Sequence, residues 1–154
     1  MTFGTATEEG LTTVEGAKLA VGKNGNLTAF HKRLSHPCVN ATITVGAEDT
    51  NVRAITIQLL DAYGNDVSEV TVVELFVFAS AAGTAIATGG STGIEIGTDG
   101  AILSTVTAKL HFVLSSEADG DIDLTWTDTG TESVALGLKL PNGNLIVTDA
   151  FANT

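Results

Sequence analysis

The chain has 154 residues, 44% of them hydrophobic and 16% charged, with a formal net charge of −11. That length fits one domain with an extension, and the apolar share is enough for a sizeable core. So acidic a chain is expected to bind neither nucleic-acid backbones nor anionic membranes. Seventeen glycines against two prolines suit many tight turns and argue against a Pro-rich linker. Cys38 is the sole cysteine, so no intrachain disulfide can form. The first ten residues lack the basic and apolar regions of a secretory signal. No run approaches the about 18 apolar residues that span a bilayer.

Residues 1–38 differ from the remainder of the chain. Lys18, Lys23, Lys32 and Arg33 stand against Glu8, Glu9 and Glu15 there, a net of +1. Residues 39–154 hold only Arg53, Lys109 and Lys139 against 15 acids, a net of −12. We therefore divide the chain into an N-terminal arm with hairpin and linker, 1–38, and a β-domain, 39–154. In the arm, Lys18–Val21 and Leu27–Phe30 flank Gly22-Lys23-Asn24-Gly25-Asn26, a hairpin signature with Asn-Gly at the turn. Two strands alone are marginal in water, so this hairpin needs another surface. His31 to Pro37 reads as a linker, with Pro37 holding His36 extended.

From Asn40 the β pattern is steady. Asn40–Val45 alternates as a first strand. Ile55–Leu60 and Val70–Phe78 are rich in Val, Ile and Phe and predict two central antiparallel strands. Between them Asp61-Ala62-Tyr63-Gly64-Asn65-Asp66 should reverse the chain, since Gly and Asn accept positive φ and Asp and Asn bond locally to the backbone. Ser80–Gly93 is small and polar, a long loop with a short edge strand at Thr84–Ala87. Strands come next at Ile94–Ile96, Ala101–Thr107, Lys109–Leu114, Asp121–Thr127, Ser133–Leu140 and Leu145–Phe151, separated by Gly, Asn and Asp turns. This spacing predicts an all-β fold, an immunoglobulin-like antiparallel β-sandwich. Its expected core is Ile57, Leu59, Val73, Leu75, Val77, Phe112, Leu114, Ile122, Leu124, Trp126, Leu138 and Leu140.

The motifs of common chemistries fail. Asp119, Asp121 and Asp123 open like a calcium loop, but the sixth and twelfth positions hold Leu124 and Gly130 where Gly and Glu are needed. His31, His36 and Cys38 make an incomplete zinc set, as His111 lies far along the chain. There is no GxGxxG, no phosphate-binding GxxxxGK[ST], no GxSxG and no HExxH. No enzyme activity, metal or cofactor is expected. Five per cent aromatic residues, with Trp126 turned inward, give little to stack on a sugar.

The sequences ITIQLLDAYGND, IGTDG, SEADGDIDLTWTDTG and LxLPNGxLIV, within residues 53–151, resemble a domain of tailed-bacteriophage virion proteins. The resemblance implies an immunoglobulin-like accessory protein that decorates or cements the head, in a virion assembled in a bacterial cytoplasm. A place on the neck or tail, or a carbohydrate- or receptor-binding sandwich, is the alternative. It implies no catalytic residues. The implied partners are the major capsid protein or another virion protein, and further copies of this chain. The arm lies outside the resemblance. From its composition we expect Leu27, Phe30 and Leu34 to serve as apolar anchors and Lys23, Lys32 and Arg33 to meet carboxylates of a neighbour.

Overall fold

The computed structural model describes residues 37–89 and 92–154, together with the backbone of four short strands nearer the N-terminus. Those strands are β1 (Leu11–Thr12), β2 (Lys18–Val21), β3 (Leu27–Ala29) and β4 (Lys32–Arg33), and they form an antiparallel sheet in that order. The expected hairpin is present, with Val21 opposite Leu27. The expected linker is not wholly a linker. Lys32 and Arg33 pair with Ala29 and Thr28, adding a strand to the hairpin edge.

The rest of the described chain is an antiparallel β-sandwich. One layer holds β5 (Asn40–Asp49), β6 (Val52–Leu60), β11 (Asp121–Thr127) and β8 (Gly93–Ile96), in that order. The other holds β13 (Leu145–Val147), β12 (Ala135–Lys139), β7 (Val72–Phe78), β10 (His111–Ser115) and β9 (Ala101–Thr107). The alternation in each strand arises from having one face dry and one wet. In β11, Ile122, Leu124 and Trp126 are buried while the residues between them are partly exposed. All twelve residues expected in the core are buried, and they belong to one apolar cluster.

The central pair departs from a simple hairpin. β6 and β7 lie in different layers and do not pair. The turn itself forms as the sequence predicts. Asp61 turns its carboxylate back to accept from the Tyr63 and Asn65 amides, and Gly64 takes a φ of 80°. Burial would raise the Asp61 carboxyl, but these N–H donors together hold it below the usual carboxylate range. The returning chain pairs back only briefly, through a Leu60–Asp66 bridge and the Val67 amide on the Leu59 carbonyl. Val67 is fully buried, so the chain has reached the core and crosses it. It enters the second layer at Thr71, whose amide donates to Ser116 Oγ while the Ser116 amide donates to the Thr71 carbonyl.

Two further joints fix the ends of the sandwich. Cys38 is buried in the core cluster at its very start, and Pro37 is buried beside it in sequence. At the far end of the chain, Asn153 is buried and bridges the Asn51 and Asp128 carbonyls through its side-chain amide. Arg53 reaches the same tail, donating to Asn153 Oδ1 at 2.9 Å and to the Ala152 carbonyl at 2.7 Å.

Leu124 is 2% exposed within the inter-sheet cluster. Leu124→Ala should lower the unfolding free energy by about 2–5 kcal/mol, the range for opening a core cavity. Urea denaturation of the two proteins measures the difference, and a loss well under 1 kcal/mol would mean that this layer does not hold the fold.

Candidate protein-interaction site

Of the six residues expected to meet a partner, Lys23, Phe30 and Leu34 lie outside the described residues. Leu27 falls in β3 and Lys32 and Arg33 in β4, so the small N-terminal sheet brings three of the six together along paired strands. The zinc candidates His31 and His36 also lie outside the described residues. The third, Cys38, has its thiol pushed up to about 11 by burial, which makes it a poor thiolate ligand.

The join between arm and sandwich is tightly held on its sandwich side. The Val39 amide donates to the Leu60 carbonyl. The Val39 carbonyl accepts from the side-chain amides of Asn142 and Asn144, each at 3.3 Å. Those asparagines sit in the turn between β12 and β13. Val39 is thereby fixed against that turn.

The outer face of the five-stranded sheet is dressed unevenly. Phe76 stacks on His111 with ring centroids 4.2 Å apart, and on Phe78 at 5.9 Å. Phe78 is buried on this outer side because Gly137, on the neighbouring strand, has no side chain to lift its ring. Glu74 accepts from Lys139 Nζ at 2.8 Å and lies 3.0 Å from His111 Nε2. The Lys139 hydrogen bond, with His111 adding to it, holds the Glu74 carboxyl below the usual range. Beyond Glu74 the cover stops. Val72 is 50% exposed and Val70 60%. Val72, Val113, Leu140, Pro141 and Gly143 line an open groove of about 330 Å³ whose wall is mostly apolar. Sequence reasoning missed this groove because its lining comes from β7, β10 and the β12–β13 turn, which only the fold brings together.

A second exposed apolar feature lies on the edge strand β9. Its register against β10 slips twice, leaving Leu103 and Val106 without partners across the strand. Both are bulge residues, and both are more than half exposed.

The acidic turns gather at β11. Asp123 accepts from Thr56 Oγ1 at 3.0 Å, and the Asp119 carbonyl accepts from Gln58 Nε2. Among the described residues, Asp121 Oδ1 is buried with no hydrogen-bond partner. Burial first, then the charge of Asp123, raises the Asp121 carboxyl, with Asp99 and Asp119 adding to the effect. Among the described residues no group of three or more His, Cys, Asp or Glu side chains is placed to hold a metal ion.

No protein-family model matches the chain, and no curated protein matches it. Among solved structures, the β-glucuronidase of Parabacteroides merdae aligns with 89% of this chain at a TM-score of 0.44 and 11% identity. The aligned part is 16% of that enzyme, so this chain spans a small fraction of its length. At that level of likeness nothing about activity passes from one protein to the other.

Asp121 supplies a test of the acidic end. A carboxyl raised on folding holds its proton more tightly in the folded state, so its ionised form weighs against folding at neutral pH. That penalty fades as pH falls through the raised pKa. Asp121→Asn should therefore raise the thermal midpoint at pH 7, and the gain should shrink in acid as Asp121 itself becomes protonated. Thermal unfolding across a pH series measures both. An equal gain at every pH would place its cause in something other than charge.

Proposed function

We propose that this chain is a non-enzymatic structural protein of a tailed-phage virion, with the sandwich as its body and the basic arm as its attachment. The arm binds a neighbouring subunit of the shell, so that the protein decorates or cements the capsid. The observation that carries this reading is the separateness of the arm. β1–β4 form a sheet of their own, apart from both sandwich layers. The sandwich closes on itself through Arg53 and Asn153. A sheet that shares no strand pairing with the sandwich suits the role of an element offered to another chain.

Charge supports the same reading. The arm carries four of the seven basic residues, and the sandwich carries 15 of the 18 acids. Lys23, Lys32 and Arg33 suit an acidic partner, and Leu27, Phe30 and Leu34 supply apolar anchors. Exposed ion pairs contribute only about 0.2–1 kcal/mol each, so the anchors dominate affinity while the charges steer the approach.

The test compares the full chain with a form lacking residues 1–36, both added to shells stripped of this protein. The truncated form should remain folded, with an unchanged near-UV spectrum, and should fail to attach. Lys32→Glu with Arg33→Glu should weaken attachment mainly at low salt, where screening is least. Full occupancy by the truncated form would move attachment to the sandwich and overturn the role given to the arm.

A further inference from the structure

The turn that holds the Val39 carbonyl also carries a reactive pair of residues. Pro141, Asn142, Gly143 and Asn144 are all exposed. The turn is closed by the Leu140 amide on the Asn144 carbonyl at 2.8 Å and by the Gly143 amide on the Leu140 carbonyl at 2.9 Å. Asn142 is engaged at both ends of its side chain. Its Oδ1 accepts from the Asn144 amide at 2.9 Å, the local bond by which asparagine shapes turns. Its Nδ2 donates to the Val39 carbonyl at 3.3 Å.

An asparagine followed by glycine is open to attack on its side-chain amide by the next backbone nitrogen. Glycine has no Cβ to hinder that approach, and its backbone is free to take the angles a closed ring requires. Gly143 has a φ of 89°, and beyond its own chain neighbours no atom lies within 4 Å of where a Cβ would stand. The Asn144 N–H already polarises the Asn142 side-chain carbonyl, and it is in place for the charge that grows on Oδ1 when Cγ is attacked. The Gly143 N–H is tied to Leu140, so attack follows a local opening of the turn. Such openings cost least where backbone hydrogen bonds are exposed and strands are short, and β13 has three residues.

We propose that Asn142 is a modification site, converting spontaneously with Gly143 to aspartate and isoaspartate, and that the conversion releases the Val39 carbonyl. The Gly143 nitrogen gives up its proton to hydroxide and bonds to Asn142 Cγ. The Cγ–Nδ2 bond breaks, and Nδ2 takes a proton from water and leaves as ammonia. Water then opens the resulting succinimide at one of its two carbonyls. Opening at one gives aspartate, and opening at the other gives isoaspartate, with an extra carbon in the backbone. The net change exchanges ammonia for water, and nothing is oxidised or reduced. Val39 then faces a carboxylate oxygen where it had an N–H donor, and two acceptors repel. Among the described residues Asn144 Nδ2 is left as its one side-chain donor. The hold on Val39 thus weakens as the molecule ages, without cleavage of the chain.

The full chain tests this when aged in buffer at physiological temperature and mapped by peptide mass spectrometry. The peptide holding residue 142 should gain the mass of an NH2-to-OH exchange and separate into two products. The rate should rise at mildly alkaline pH, because the nitrogen attacks without its proton. Mapping by peptide separates this site from Asn24-Gly25, the chain's other Asn-Gly pair. Asn142→Gln should abolish the change at this position, since the longer side chain closes a less favoured ring. Asn142→Asp supplies the released state from the start. In that variant hydrogen exchange at the Val39 amide, which donates to Leu60, should be about fivefold faster than in fresh wild type, the factor for one hydrogen bond. A residue 142 that stays unmodified over a period in which the urea-unfolded chain converts would overturn the site. Equal exchange at Val39 in Asn142→Asp and wild type would overturn the release. Both measurements are independent of what the arm binds, so they stand or fall apart from the virion reading.

Discussion

A single apolar layer holds two sheets together with no covalent tie between them. The only thiol, Cys38, is inside that layer. Everything else in the sandwich serves to close it. At one end the chain crosses between sheets under Val67, and the Thr71–Ser116 pair satisfies the polar groups where it lands. At the other end Asn153 and Arg53 take up the carbonyls of Asn51, Asp128, Ala152 and Gly46. Buried backbone groups left unpaired there would each cost about 1–3 kcal/mol. The C-terminal residues are thus part of the closure, although their sequence, Ala-Asn-Thr, has no apolar pattern.

The layer was legible because it depends on a period of two. Any strand with one dry face must alternate, and β11 and β7 do so without exception between Val72 and Val77 and between Asp121 and Thr127. The turn at Asp61 was legible for a similar reason, since its chemistry is local. What the turn connects was not local. The same hexapeptide could have opened a hairpin, and the burial of Val67 decides that the chain crosses instead. The β5–β6 turn was hidden for the opposite reason. Thr50 and Asn51 take φ of 51° and 67°, and a β-branched residue rarely adopts the first of these. The Asn51 carbonyl is held there by Asn153 and by the Asp128 amide, so tertiary contacts impose a turn that propensity opposes. For the candidate site, composition identified the arm, but pairing along β4 and the groove both depend on residues distant in sequence.

The outward face of the five-stranded sheet shows how a sandwich avoids being sticky everywhere. Gly137 lets Phe78 lie flat, Phe76 shields one side of His111, and Glu74 ties His111 to Lys139. Aromatic area is thereby covered by aromatic neighbours and rimmed by charge. The device stops at Val72. It also stops at β9, where two bulges turn Leu103 and Val106 outward. Bulges distort an edge and hinder another strand from pairing with it. The edge is blunted by geometry, whereas Val72 in the groove stays half exposed.

Charge segregation gives that asymmetry its consequence. Two bodies of net charge −12 repel at short range, and their acids sit largely on exposed turns where salt screens them over roughly 8–10 Å. Positive charge placed between two such surfaces lowers that repulsion. The arm is where the chain keeps that charge, on a leash of four residue steps from the buried join at Pro37. An apolar surface on an otherwise strongly acidic body is thus protected from indiscriminate association by the charge around it.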